Sequence, residues 1–576
     1  MSDANKEAAE MFRELAELQT LEDGDVQSFR VRAYDNARRA VDAYTGDVSK
    51  LKASELQKIE GIGASTAKTI RELFDAGSVA KLVALRQSYP KAFVDLLNVP
   101  GIGPKGALRL RKEASVEGID SLREAIATQK LRKLKGFGEK SEVKLAAILE
   151  RMEKEGHEGR TPISVAWPLA QRLETRFRAL PGVSFAMACG STRRFAETVG
   201  DLDIVVASTQ PSLVMDDVTT MPMVERIIGR GDTKASVVTR RGLQIDVRVV
   251  APEHIGAATL YFTGSKAHNV ALRQRALGRG WRLSEYGLTE IESKRVIASE
   301  SEESIYAALD LPFIPPELRE GYGEIEAAEK GELPAICATV HGDFHVHTDL
   351  SGDGRSPLEE IVAAARARGL CAIAITDHAE NLGGNGVKRE PLLEQRARVR
   401  GLQDELGDGL RILHGIELNI GPAGELDYDA EFRAAFDFCL ASVHDHFDLD
   451  EAAQTRRIMT AMLDPSVAMI GHLSARMIGA RPGIDLDLDA VFEAAEKTGT
   501  TLEINGGLPR LDISSSAMRR ARGRGVQFVL TSDAHQTSEL DRIDNARRIA
   551  LRGWVDPASI VNGTTAENMK QWLARG

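Results

Sequence analysis

The sequence holds little that would carry it to a membrane or tie it together covalently. In 576 residues no apolar run approaches the roughly 20 needed to span a bilayer. The start, MSDANKEAAEMFRELAEL, is acidic and amphipathic, without the basic and apolar segments of a secretory signal, so the cytoplasm is the expected location. Four cysteines (Cys189, Cys337, Cys371, Cys439) are scattered with no C-x-x-C, which argues against a disulfide framework and a zinc ribbon. Positive charge is also scarce, with a net charge of −11, yet the average hides a division. Residues 335–576 carry about −10, whereas residues 81–280 sum to about +11. Nucleic acid binding needs local positive charge to displace counterions, not a basic whole chain. A solvated basic face has the same composition. A chain of this length and composition is expected to be soluble, globular and divided into several domains.

Residues 1–80 read as helices, with apolar residues at three- and four-residue spacing through MFRELAELQTLE and ARRAVDAY. A short phrase then occurs three times: IEGIGASTAKTI from Ile59, VPGIGPKGALRL from Val99 and LKGFGEKSEVKL from Leu134. Each is apolar-x-Gly-apolar-Gly leading into a helical run. Glycines permit the tight turn, and the helix N-terminus behind it points N–H groups at an anion such as phosphate. Gly61, Gly63, Gly101 and Gly103 are therefore candidate DNA-backbone contacts in helix-hairpin-helix elements. The stretch EKEGHEGRTPIS (153–164) reads as a linker, followed by strand-like VSFAMACG, DLDIVVAS and LQIDVRVV and a helical region to about residue 320. A second linker, PPELREGYGEIEAAEKGELP, precedes a run of short apolar strands alternating with helices, which suggests a parallel barrel or sheet.

In ACGSTRRFAETVGDLDIVV, Asp201 and Asp203 are separated by one residue on a strand and share a face. Asp246 in LQIDVRVV can add a third carboxylate from a neighbouring strand. Three hard oxygen donors suit a pair of Mg²⁺ or Mn²⁺ ions, the arrangement that activates an attacking 3′-hydroxyl and stabilises a pyrophosphate leaving group. Gly190, Ser191 and Arg194 would bring backbone, hydroxyl and guanidinium donors to a triphosphate. GSTRRFAETVGDLD and the later YFTGSKAHNVALRQRA resemble the palm and thumb of X-family DNA polymerases, and the resemblance runs from about residue 5 to residue 320. It implies that Asp201, Asp203 and Asp246 hold the metals and that Ser191, Arg194 and Gly200 contact the triphosphate. It also implies that Tyr261 and Phe262 lie along the sugar and base, with Asn269 and Arg273 near the minor groove. Arg30, Arg32, Tyr34 and Arg38 would hold a 5′-phosphate at a gap. The lysine that eukaryotic relatives use for lyase chemistry falls on Thr69, beside Lys68, and a Schiff base needs an amine. Phe195 stands where relatives usually carry a small residue.

The second half opens on HGDFHVHTDLSGDG (341–354), and its other histidines fall at strand ends. His378, Glu417, His444, His472, Asp533 and His535 join His345, His347 and Asp353 as nine His/Asp/Glu residues at the C-terminal ends of successive strands, where barrel active sites assemble. That set fits two or three Mn²⁺ or Zn²⁺ ions better than a four-ligand structural clip. H-x-H-T, T-D-H, G-x-E, S-x-H, G-H and S-D-A-H, in this order, resemble the PHP (polymerase and histidinol phosphatase) domain. Asp377 is expected to orient a ligand rather than bind metal.

The whole is therefore expected to be multidomain: helical helix-hairpin-helix N-terminal domains, an α/β nucleotidyltransferase palm and thumb, and a C-terminal distorted (β/α)7 PHP barrel. The expected boundaries are 1–80 (gap and 5′-phosphate binding, first hairpin), 81–157 (helix-hairpin-helix), 158–250 (palm), 251–320 (thumb), 321–340 (linker) and 341–576 (PHP). The resemblance implies a bacterial X-family polymerase that fills short gaps in base excision repair. It also implies a Mn²⁺-dependent 3′→5′ exonuclease, with cleavage at abasic sites, in the PHP domain. The expected partners are gapped or primed double-stranded DNA and dNTPs, with no membrane, and the layout is compatible with a monomer. Alternative readings make the barrel a small-molecule phosphatase or an inactive scaffold.

Overall fold

The computed structural model describes residues 3–573 apart from 25–27, 45–46, 60, 100–101, 135–136, 139–140, 144, 147 and 150–159. The chain divides into two compact units, Met1–Glu158 and Gly159–Gly576.

In the first unit, helices Asp3–Asp23 and Phe29–Ala43 pack Phe12 and Leu15 against Val31 and Tyr34. Ser28 starts the second of these helices, its side chain accepting from the Val31 N–H. The described parts of the three repeated phrases share one hydrogen bond. Ile62, Ile102 and Phe137 each donate a backbone N–H to the residue three before, at 3.1, 3.0 and 3.0 Å. The middle side chain is buried each time, so Phe137 does the packing of the isoleucines with a larger group. Helices Ala64–Ala76 and Pro104–Ala114 follow, capped by Gly63 and Gly103 in nearly identical extended conformations. Gly61 has φ +91°, and a Cβ there would lie 3.1 Å from the Asn36 carbonyl and from Ala40 Cβ, so this turn requires glycine. Gly101 and Gly136 lie outside the described residues, as does most of the first linker.

The second unit starts with helix Ile163–Arg178 on a five-stranded mixed sheet, in the order Val183–Ala188, Asp201–Ser208, Gln244–Val250, Lys234–Thr239, Val224–Arg230. The strands Val224–Arg230 and Lys234–Thr239 extend the three expected from sequence. The region to residue 320 was expected to be helical and is mixed. After helices Ile255–Thr263 and Lys266–Leu277 come three antiparallel strands, Trp281–Ser284, Gly287–Glu290 and Val296–Ala298, of only three or four residues each. Segments that short carry too little alternation to be seen in a sequence.

Seven parallel strands then pair in chain order: Gly342–Asp343, Ala372–Ile375, Arg411–Asn419, Phe438–Ser442, Val467–Ile470, Thr501–Asn505 and Phe528–Thr531. A bridge between Val346 and Ala534 brings the two ends together, so the barrel is nearly closed. Most of its strand positions are buried, as in parallel sheets covered by helices. One hydrophobic core runs from Ile163 and Leu173 of the helix and Ile204 of the mixed sheet into Ile416, Leu473 and Leu511 of the barrel half. Among the described residues no helix is long and apolar enough to cross a membrane.

If Phe137 is the core residue of the third hairpin, Phe137→Ala should destabilise the first unit by about 3–5 kcal/mol. Limited proteolysis of the full chain would show faster cleavage within residues 90–150, and unchanged cleavage would contradict this packing.

Candidate active sites

On the mixed sheet, strands Asp201–Ser208 and Gln244–Val250 run parallel with Asp203 directly beside Asp246. Asp201 projects on the same face, and one oxygen from each of the three carboxylates falls within 4.8 Å of the others. Burial, followed by the charges of Asp201 and Asp246, pushes Asp203 up to about 7. Such mutual repulsion is what a divalent cation relieves, so the donor set fits hard metal ions. Gly190 has φ +58°, and a Cβ on it would lie 2.5 Å from Asp203 Oδ2. Glycine is what lets the turn pass over the carboxylate. Helix Gly190–Arg193 follows immediately and carries Ser191; Gly200 is exposed just before Asp201.

Arg194 is already engaged: Nε donates to Glu320 Oε1 at 2.9 Å and Nη1 to the Thr263 carbonyl. Arg193 instead bonds Glu302 and Thr263, which links this turn to the helix Ile255–Thr263. Tyr261 and Phe262 meet edge to face at 5.1 Å. Asn269 Nδ2 donates to the Tyr261 carbonyl at 2.7 Å, and the Arg273 guanidinium sits 5.0 Å over the Tyr261 ring. Phe262 lines a small pocket with Asp203 and Asp246, together with Lys234 and Arg248, which sequence reasoning did not name. In the first unit the proposed 5′-phosphate group is divided. The Tyr34 ring is spent on the core and its hydroxyl meets Lys81 Nζ at 2.8 Å, while Arg30 pairs with Asp23. Arg32 is exposed and Arg38 half-buried. Tyr34 takes the buried place in the helix periodicity.

All nine residues named in the barrel converge at the C-terminal ends of its strands, with Glu417 at the centre. Its Oε2 faces His378 Nδ1 at 2.8 Å, His345 Nε2 at 3.3 Å and His347 Nε2 at 3.4 Å. Its Oε1 faces His472 Nε2 at 3.1 Å and His444 Nε2 at 3.2 Å. Asp533 Oδ1 is 3.5 Å from both His345 and His347. Asp353 Oδ2 lies 3.3 Å from His378 and 3.5 Å from His535, so the Ser351–Gly354 loop reaches the cluster. Overlapping sets of three donors converge at four places here: His347, His378 and His535; His345, His472 and Asp533; His345, His347 and Glu417; and His378, Glu417 and His444.

Many of these atoms are buried without a hydrogen-bond partner, among them His345 Nε2, both His347 ring nitrogens, His378 Nδ1, Glu417 Oε2 and His444 Nε2. A buried polar atom left unpaired is costly, and divalent ions are the partners this donor chemistry fits. Asp377 holds no such place. It accepts from Thr348, Ser351 and Gln395, and Ser351 Oγ in turn accepts the His378 N–H at 3.0 Å. Glu503, which the sequence reading passed over, accepts from His345 Nδ1 at 2.6 Å and from Thr531, turning His345 Nε2 toward Glu417. The strand TLEIN was the one barrel strand with no donor assigned, and that gap could have pointed to it. Arg510 Nε stands 3.4 Å from Asp533 Oδ2, with Nη1 buried and unpartnered.

Burial opposes charge on His345, but Glu503 and Glu417 overcome it and hold the ring protonated well above the ordinary histidine range. The same contest, won by Glu417 and Asp353, lifts His378 to about 10. Burial and the neighbouring His535 and His378 push His347 down to about 3. His378 therefore carries a proton at pH 7.5 that a metal would have to displace, and His345 is shifted in the same direction. Mn²⁺ binding should release protons at that pH, and its apparent affinity should fall about tenfold per pH unit of acidification for each proton displaced. Titration calorimetry in two buffers of different ionisation heat would check it; binding heats independent of buffer would contradict it.

Comparison with known proteins matches the description "DNA polymerase beta thumb" to residues 258–320 and "PHP domain" to residues 343–506. "Helix-hairpin-helix domain" matches residues 3–79 and "SAM-like helix-hairpin-helix tandem" residues 93–151. The chain is 34% identical over 550 residues to the DNA polymerase/3′-5′ exonuclease PolX of Bacillus subtilis (strain 168), covering 95% of each protein. It is also 30% identical over 242 residues to a probable phosphatase of Acetivibrio thermocellus, 40% of this chain and 95% of that protein. A probable phosphatase of Shewanella sediminis is 31% identical over 216 residues, 36% of this chain and 83% of that one. With helix-hairpin-helix elements, a polymerase-type thumb and a seven-stranded PHP barrel in that order, and a relative matched along nearly its whole length, the chain belongs to the X-family DNA polymerases of bacteria that carry a C-terminal PHP domain.

Proposed function

We propose that this protein is a DNA-directed DNA polymerase that fills short gaps in repair and trims 3′ ends with a separate exonuclease site in its barrel. The observation that carries the reading is the presence of two complete donor sets, on different sheets of one chain that matches a polymerase/exonuclease over 95% of its length. Asp201, Asp203 and Asp246 would hold Mg²⁺ or Mn²⁺. The bound ions supply activation of the primer 3′-hydroxyl and charge neutralisation on the triphosphate. Ser191 Oγ, the backbone N–H groups of the Gly190 turn and Arg194 would bind the triphosphate oxygens, with Gly200 leaving the approach open. Tyr261 and Phe262 would lie along sugar and base, held by Arg273 and Arg248, and Asn269 fixes the Tyr261 backbone through its carbonyl.

In the barrel, His345, His347, His378, His444, His472, His535, Glu417, Asp353 and Asp533 would hold two or three Mn²⁺ or Zn²⁺ ions. Arg510, beside Asp533, would meet the negative charge of a 3′-terminal phosphodiester. The hairpins at Gly61, Gly63 and Gly103 present helix N-termini suited to DNA phosphates on either side of a gap, without reading sequence. Gly101 would belong to this group by the repeat. Thr69 donates its hydroxyl to the Ser65 carbonyl at 3.1 Å and offers no amine, so lyase chemistry is not part of the proposal.

The probable-phosphatase relatives favour a second reading, in which the barrel hydrolyses small phosphate monoesters. A 5′-labelled primer on gapped duplex separates the two. With dNTPs and Mg²⁺, wild type should extend the primer and Asp203→Ala should lose at least about 10³ in rate, as expected for removing a metal ligand from a two-ion site. With Mn²⁺ and no nucleotides, wild type and Asp203→Ala should shorten it while His378→Ala does not. A primer left intact by all three, with turnover of a phosphate monoester, would replace the exonuclease with a phosphatase.

A further inference from the structure

The turn that would receive the triphosphate is held by the barrel. Of the four residues 194–197, three each meet an arginine from the PHP half of the chain. The helix Ile543–Arg552 supplies two of these arginines. Arg552 Nη1 donates to the Arg194 carbonyl and to Glu320 Oε1, both at 2.7 Å. The same Glu320 oxygen holds Arg194 Nε at 2.9 Å, so the carboxylate is shared between the two guanidiniums. All three side chains are 12–16% exposed.

Phe195 is fully buried, meets Trp167 edge to face at 5.2 Å, and has the Arg548 guanidinium 5.5 Å from its ring and 4.6 Å from that of Trp167. Its φ of +56° is a conformation that favours glycine, so a bulky side chain here carries a backbone cost that its packing under Arg548 offsets. Glu197 forms a two-pronged pair with Arg476 at 2.9 and 3.0 Å, while Arg476 Nε donates to the Arg510 carbonyl at 2.9 Å, fixing the guanidinium to the barrel.

We propose that Arg552, seconded by Arg548 and Arg476, is a positioning residue for nucleotide binding: the barrel sets the shape and charge of the Arg194–Glu197 turn and thereby the affinity of the polymerase site for dNTP. The inference rests on the reading of that turn as the triphosphate site. Arg552 acts in two ways. Its bond to the Arg194 carbonyl fixes the backbone from which the Arg194 guanidinium reaches toward the site. Its share of Glu320 leaves Arg194 less fully neutralised and so more attractive to a triphosphate. Without Arg552, Glu320 pairs with Arg194 alone and the turn loses one of its anchors.

The test is steady-state single-nucleotide gap filling by the full-length protein with Arg552→Met, Arg552→Lys and Arg194→Ala, alongside Mn²⁺-dependent primer shortening and thermal melting of each. Arg552→Met should raise KM for dNTP about tenfold, the scale of one charge-assisted hydrogen bond, with kcat within about twofold. Primer shortening should be unchanged. Arg552→Lys, able to keep one of the two bonds, should recover part of the KM. Arg194→Ala should raise KM at least as far. Unchanged KM in Arg552→Met beside a raised KM in Arg194→Ala would overturn the positioning role while leaving the triphosphate reading intact. Unchanged KM in Arg194→Ala would overturn the triphosphate reading and this inference with it. Equal losses of polymerisation, primer shortening and melting temperature in both Arg552 variants would make the contact merely structural and also overturn it.

Discussion

One buried carboxylate organises the catalytic end of the barrel. Glu417 is fully buried, and an isolated charge in that position would be driven to take up a proton. It is held ionised, well below the ordinary glutamate range, because burial is outweighed by His345, His444 and His378 around it. Five imidazoles face its two oxygens within 3.4 Å, delivered by the segments that follow four of the barrel strands, with His345 and His347 both from the first. The barrel therefore has to close, and nearly in register, for the carboxylate to be compensated. The Val346–Ala534 bridge and the Glu503–His345 bond serve that closure as much as they serve the site.

The other carboxylate site follows a different logic. Asp201, Asp203 and Asp246 lie together on one sheet face and remain partly exposed. Their geometry comes from strand register alone, whereas the turn above them takes its geometry from elsewhere. Arg193 ties it to Glu302 and Thr263, and Arg552, Arg548 and Arg476 tie it to the barrel. A shared hydrophobic core makes these ties firm, since Gly479 of the barrel approaches Pro162 so closely that a Cβ on it would clash at 2.5 Å. Polymerase sheet and barrel are thus one compact unit, while the hairpin-bearing helices form another.

What was legible in the sequence was whatever repeats locally. The three glycine phrases, the D-x-D strand and the six later barrel strands were readable because each is a short pattern with its own period. The histidines were readable because they end those strands. Glu503 was missed because a glutamate among apolar neighbours in TLEIN looks like the exposed side of an edge strand, and only barrel closure buries it. The thumb sheet was missed because its strands are three or four residues long. Phe195 had no account from sequence since its partners, Trp167 and Arg548, lie 28 and 353 positions away along the chain. The Arg552–Arg194 contact spans 358 residues, and no pattern in a linear string announces such a pairing.

The barrel's proposed chemistry turns on whether Glu417 and the histidines around it would hold divalent ions. Crystals of the full-length protein soaked in Mn²⁺ and measured at the manganese absorption edge would test it most directly. At least two anomalous peaks should appear within the histidine cluster, each contacting a Glu417 oxygen. No peak in that cluster, from a preparation that shortens primers in Mn²⁺, would contradict the account.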